Sequence, residues 1–241
     1  MGTAVSFHLY PGEGAPGSLH SALEKACEGL HRVEEVFSTW QPDSPVSRWR
    51  RGELAAESLP PEVGEVMALC EQAKRLSGGW FDPWSMPGGT DPTGLVKGWS
   101  VEAAASLLQA EGWRAGMVNG GGDLTVFGPP PQGAAWRIGV QHPWRPEGLA
   151  CVLEVASGAV ATSGIYQRGP HLVDPRTGRP AVAAASATVT GPSLALADAL
   201  ATALAVGGAT VLDRIAALPG YEAYLIGPEG QESQTPGMPF G

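Results

Sequence analysis

The chain has little charge. Of its 241 residues only 16% are Asp, Glu, Lys or Arg, and no basic run occurs. With a formal net charge of -9 it lacks the electrostatic footprint that neutralises a phosphate backbone, so non-specific nucleic-acid binding is excluded. No apolar stretch reaches the roughly 18 residues that cross a bilayer, and no membrane span is expected. The three cysteines, Cys27, Cys70 and Cys151, are odd in number and far apart. They match no zinc spacing and no disulfide framework. The N-terminus alternates like a strand and lacks the charged start and apolar core of a signal peptide. A cytoplasmic location is therefore expected for the chain as written; a leader outside this sequence would instead imply an exported or membrane-anchored form. There is no internal repeat, P-loop, dinucleotide fingerprint or nucleophile elbow.

What is abundant is glycine and proline, 34 and 22 residues, beside 43% hydrophobic residues. That balance describes a folded chain with many turns. A first strand is expected at about 3–10, followed by an amphipathic helix carrying Leu23, Cys27, Leu30 and Val33. A second helix starts at Pro60-Pro61 and stops at Ser77-Gly78-Gly79. A third is read from Ser100 to Gly112. Strands then dominate, at 116–118, 124–127, 136–141, 151–155, 159–163 and 182–190, before two further helices and a strand near 221–226. Helices and strands are segregated, which favours an α+β fold over a doubly wound sheet. The boundaries read as one domain over 1–226 and a Pro/Gly-rich, loosely held tail over 227–241.

One helix stands out. From Ser193 to Gly207 the only polar side chains after the cap are Asp198 and Thr202. A helix apolar on all sides is buried, and a carboxylate in such a place needs compensation. The i, i+4 spacing sets both oxygens on one face, where a hard cation such as magnesium fits. An alternative stands beside it: Asp198 serving the helix dipole, and Thr202 bonding back to a carbonyl one turn earlier.

Polar clusters interrupt the apolar pattern at turns. Trp40 follows the first helix and offers a flat face to an aromatic ligand. Gly79-Trp80-Phe81-Asp82-Pro83 combines glycine, aromatics and an acid. In Asp91-Pro92-Thr93-Gly94-Leu95-Val96-Lys97-Gly98 the lysine at a helix entrance suits a phosphate. Asn119 to Asp123 reads as a tight turn with Asp123 bonded to local backbone. His171 has the most polar neighbourhood of the five histidines, near Asp174 and Arg176. A Ser163, His171, Asp174 triad has no supporting motif.

Taken in order, these motifs resemble the ApbE family of flavin transferases, with His171-Leu172-Val173-Asp174-Pro175 and Ala197 to Thr202 completing the set. The resemblance implies a single T-fold-like α+β domain of mainly antiparallel sheets. It implies Mg2+-dependent transfer of FMN from FAD to a Thr or Ser hydroxyl in an exposed loop of an acceptor flavoprotein, with release of AMP. Magnesium would be held by Asp198, Thr202 and the Gly94 carbonyl. FAD contacts would fall on Met1, Trp40, Trp80, Phe81, Asp82, Asp91, Lys97, His171 and Leu172, with His171 and Asp198 in catalytic roles. Ala201 stands where some relatives carry a second acid, so magnesium would rest on fewer charges. The competing readings are an FAD pyrophosphatase giving FMN and AMP, and a non-catalytic flavin-binding protein.

Overall fold

Side chains of the strand Glu222–Ile226 alternate between two hydrophobic cores. In the computed structural model, residues 2–11, 18–131, 133–164, 172–181 and 183–241 are described. Seven strands form one antiparallel sheet in the order β1 (Val5–Tyr10), β2 (Ala115–Gly120), β3 (Asp123–Phe127), β6 (Gly158–Gly164), β9 (Ser186–Gly191), β10 (Glu222–Ile226) and β11 (Glu232–Gln234). On β10, Ala223 and Leu225 join the helix-side core, while Tyr224 and Ile226 join a second core beneath the hairpin of β4 (Trp136–His142) and β5 (Arg145–Val155). This is the period of two expected of a strand buried on both faces. A short hairpin, β7 (Val173–Asp174) with β8 (Arg179–Pro180), stands apart from the sheet.

Six helices occur among the described residues: α1 (Leu19–Phe37), α2 (Pro45–Arg50), α3 (Pro61–Ser77), α4 (Thr93–Ala110), α5 (Leu194–Gly207) and α6 (Ala209–Ala216). The alanine-rich α5 lies directly on β6 and β9. Its alanines share one core with Ala159, Ala161 and Ala187 of the sheet, and small residues on both sides let backbone approach backbone. Every residue of α5 except Thr202 and Gly207 is buried, as expected of a helix apolar all round. α4 packs across α5 and β2, and α1 packs outside α4. The architecture is the expected α+β fold.

Two expectations change. α4 begins at Thr93, not Ser100, because the Asp91 carboxylate accepts hydrogen bonds from Thr93 N at 3.0 Å and Thr93 Oγ1 at 2.6 Å. Two groups at the first turn are thereby satisfied. Gly94 and Gly98 lie inside this helix, where their missing side chains allow Phe81 and α5 to approach. The segment after Gly227 is not a loose tail. β11 pairs with β10, Thr235 and Met238 are buried, and Phe240 bridges to Leu153 of β5.

Candidate functional site

The cap of α5 separates the two readings of its acid. Ser193 Oγ accepts from Leu196 N at 3.4 Å, and Glu102 Oε2 of α4 accepts from Ser193 Oγ and Ala195 N, each at 3.0 Å. The helix start thus already has its oxygen acceptors and its acid. Asp198, one turn further on and 3% exposed, is used elsewhere. Its Oδ2 accepts the Gly98 N–H of α4 at 3.0 Å. Thr202 Oγ1 lies 3.3 Å from Ser163 Oγ of β6. Both residues line a cavity of about 260 Å³ between α4, α5, the end of β6 and the β7–β8 hairpin.

α4 can approach α5 this closely because position 98 has no side chain. A Cβ there would sit 2.5 Å from the Leu194 carbonyl and 2.9 Å from Asp198 Cβ. The Gly98 N–H, which in a regular helix returns to the Gly94 carbonyl, is donated to Asp198. Gly94, one turn earlier on α4, lines the same cavity.

Lys97 brings a cation to the cavity. Its ammonium pairs with Asp123 Oδ2 and lies 3.8 Å from Asp198 Oδ1. Asp123 is 1% exposed and its Oδ1 accepts the Thr162 N–H at 2.8 Å. This corrects the reading of Asp123 as a turn residue bonded locally; the nearby turn bond is made by Asn119, which accepts from Gly122 N. The tight turn exists, and its function is to bring Asp123 under Lys97.

The opposite wall comes from the segment after α3. Trp80, Phe81, Asp82 and Asp91 line the cavity. Phe81 packs on Gly94, where an added Cβ would lie 3.1 Å from the ring. Trp80 packs against Gly207 at the end of α5 and beneath the Arg176 guanidinium, 3.3 Å from the ring centroid. Arg176 is itself held by Asp174 at 2.9 Å, so Asp174 is engaged away from any serine. Asp91 caps α4 and pairs with Arg50 at 3.3 Å. Leu172 lines the cavity beside Val173. Trp40 does not: it is 94% exposed and borders a neighbouring recess with Phe37 and Val96, which meets the main cavity at Thr93. Met1 and His171 lie outside the described residues. Thr162 and Ser163, which also line the cavity, are not assigned to the site from sequence, because a strand end of small polar residues carries no distinctive signal.

The titratable groups are tuned unevenly. Burial alone would raise the Asp82 carboxyl, but hydrogen bonds from Lys74, Ser85 and the Trp84 amide outweigh it and hold the group below the ordinary range. The sign follows: a depressed carboxyl adds stability above its unfolded value, near 3.9, and loses it as pH falls through the folded value. Asp82→Asn should therefore lower the melting temperature at neutral pH, and the gap from wild type should close below about pH 4. A gap unchanged across that range would contradict the assignment. Burial, and secondarily the Asp91 charge, pushes the Cys70 thiol up to about 12, and burial pushes Cys151 up to about 11. Neither is a nucleophile at neutral pH.

Among the described residues no three His, Cys, Asp or Glu side chains converge as a metal site. Where α5 meets the end of β6 the cavity offers the buried Asp198 carboxylate and the Thr202 and Ser163 hydroxyls, with Asp82 and Asp91 on the opposite wall. Oxygen donors of this kind fit a hard cation that keeps open positions for water or substrate phosphate, and do not fit zinc. The residues present therefore fit magnesium.

An α+β sheet with a mixed-charge, oxygen-lined cavity at the junction of α4 and α5 defines the class. The ApbE family model matches residues 1–90 and 86–225, and the chain belongs to the ApbE family. The structure is similar to that of the flavin transferase ApbE from Vibrio cholerae, with a TM-score of 0.85 at 22% identity, covering 98% of this chain and 94% of that one. The ApbE protein of Thermotoga maritima superposes with a TM-score of 0.83 at the same identity and coverages. These likenesses show the fold. In sequence, an FAD:protein FMN transferase of Vibrio cholerae is 36% identical over 128 residues, 49% of this chain and 38% of that protein. One of Rhodobacter capsulatus is 35% identical over 153 residues, 59% of this chain and 29% of that protein. The chain thus matches less than half the length of these curated relatives. No helix among the described residues is long and apolar enough to cross a membrane.

Proposed function

We propose that the chain transfers FMN from FAD to a Thr or Ser hydroxyl of an acceptor flavoprotein and releases AMP. The observation that carries this is convergence: Trp80, Phe81, Asp82, Asp91, Gly94, Lys97, Leu172, Asp198 and Thr202, drawn from four separate segments, line one cavity. The names of the relatives support the same reaction.

Asp198, Thr202 and the Gly94 carbonyl would hold magnesium, which when bound supplies positive charge to the FAD diphosphate. Lys97 places a second positive charge beside the same cavity, where charge develops on the transferring phosphoryl group. The aromatic wall of Trp80 and Phe81 and the exposed Trp40 of the adjoining recess give the ring systems apolar surfaces. The acceptor hydroxyl oxygen attacks the FMN phosphorus. The bond from that phosphorus to the bridging oxygen breaks, and AMP leaves with the bridging oxygen. His171 is proposed to take the hydroxyl proton. Met1 would complete the FAD contacts.

The rival enzymatic reading uses water as acceptor, and the non-enzymatic one keeps FAD intact. AMP release from FAD and Mg2+ separates them. AMP formed only when an acceptor flavoprotein subunit is added supports the transferase. AMP with free FMN in its absence indicates a pyrophosphatase, and unchanged FAD in both mixtures indicates a binding protein.

A further inference from the structure

The β7–β8 hairpin supplies Val173 to the cavity wall, with Leu172 just before it. Among the described residues it pairs with no strand of the seven-stranded sheet. Its turn is closed by its own bonds. The Asp174 carbonyl accepts the Thr177 and Gly178 N–H groups at 3.1 and 2.8 Å, and the Leu172 carbonyl accepts the Ala181 N–H at 2.9 Å. The Asp174 carboxylate takes three bonds from Arg176. Oδ1 accepts from the backbone N at 2.9 Å and from Nε at 3.0 Å, and Oδ2 accepts from Nη2 at 2.9 Å. The guanidinium is thus held as a flat plate, and the plate lies over the Trp80 ring, 3.3 Å from its centroid. That ring is backed by the end of α5, where a Cβ on Gly207 would lie 2.6 Å from it. A planar, weakly hydrated guanidinium can stack on an aromatic face while holding a carboxylate bidentately, which an ammonium cannot do. Arg176 itself does not line the cavity. It joins the hairpin that carries Val173 to the wall that carries Trp80.

We infer that Arg176 is a positioning residue that seats the β7–β8 hairpin on Trp80 and so holds Leu172 and Val173 where they wall the FAD site. The inference rests on reading this cavity as the FAD site. Without the stack, FAD must first select the seated hairpin from a mixture. Apparent affinity then falls by the fraction seated, while turnover at saturating FAD is kept.

The test is titration of FAD by its flavin fluorescence with Mg2+ present, beside KM for FAD and kcat for AMP release. Arg176→Ala should raise Kd and KM about tenfold, as follows if about a tenth of the population stays seated, and leave kcat unchanged. A general loss of structure would lower kcat and the melting temperature together, and that outcome overturns the inference. Arg176→Lys should bind FAD as weakly as Arg176→Ala. Wild-type affinity in the Lys variant would mean that charge alone matters, and overturns it too. Asp174→Asn separates seating from a direct contact between Arg176 and the FAD diphosphate. It loosens the plate and should weaken FAD binding in the wild-type background but not in Arg176→Ala. If Arg176 met the diphosphate itself, removing the Asp174 charge would leave binding unchanged or tighten it, and the inference falls. A wild-type protein that binds no FAD overturns the proposed function and the inference with it. FAD binding by wild type, with Arg176→Ala equally tight, overturns the inference alone.

Discussion

Replacing Asp198 with alanine is expected to lower Mg2+-dependent AMP release by about a thousandfold, equivalent to about 4 kcal/mol of transition-state stabilisation. In the proposed donor set Asp198 is the one carboxylate, and Gly94 and Thr202 would contribute neutral oxygens. Its loss leaves no charge to hold a hard cation against solvent. Alanine also removes the acceptor of the Gly98 N–H, which costs about 1–3 kcal/mol if that donor stays dry. Asp198→Asn separates the two effects, because its amide oxygen keeps the Gly98 bond while the charge is gone. The account predicts an Asn variant that melts near the wild-type temperature, is not stabilised by Mg2+, and releases AMP no faster than the Ala variant. Rates measured by chromatography at saturating FAD check this, and wild-type turnover by either variant contradicts it.

Gly98→Val is expected to have the largest effect on stability. Even a methyl group at this position meets the Leu194 carbonyl at 2.5 Å and Asp198 Cβ at 2.9 Å, and neither is the far end of a flexible side chain. The two helices must separate, which opens the junction that carries the site. Overpacking of this kind costs about 3 kcal/mol, or about 6–12 °C in melting temperature for a chain of this size. Mg2+ binding should fall with it, since Lys97 and Asp198 come from the two helices being forced apart. Gly64→Ala is the matched control. It lies inside α3, where an added methyl group would have nothing within 4 Å, and should stabilise the protein by about 0.5–1 kcal/mol. Thermal melts of the two variants read the contrast directly. Equal melting temperatures would remove the argument that Gly98 exists for close helix packing.

Much of the fold and part of the site are legible in the sequence because their signals are local. An apolar run interrupted only by Asp198 and Thr202 specifies a buried helix with two oxygens on one face, and α5 is that helix. Pro61 and Gly78 delimit α3 as their backbone preferences require, with Gly78 in the left-handed region at φ 68°. The start of α4 is misread from sequence for an equally physical reason. Pro92, Gly94 and Gly98 all disfavour helix by propensity, but the Asp91 side chain and packing against α5 and Phe81 override it. The role of Asp123 is not legible at all. Its partners Lys97 and Thr162 are 26 and 39 residues away, so the interaction exists only once β3, β6 and α4 are assembled. The same applies to the segment after Gly227. Its polar composition resembles a tail, and its order comes from a strand edge and from Thr235, whose hydroxyl accepts the Ala223 N–H at 2.8 Å. Trp40 shows the reverse case: its exposed aromatic face is anticipated by the sequence, but it belongs to the neighbouring recess.

The most direct measurement is the intact mass of an acceptor flavoprotein subunit after incubation with this protein, FAD and Mg2+. The account predicts a gain of one FMN unit less water on a single Thr or Ser, with one AMP released per acceptor modified and no gain with Asp198→Ala. An acceptor of unchanged mass while FAD is consumed to FMN and AMP would contradict it.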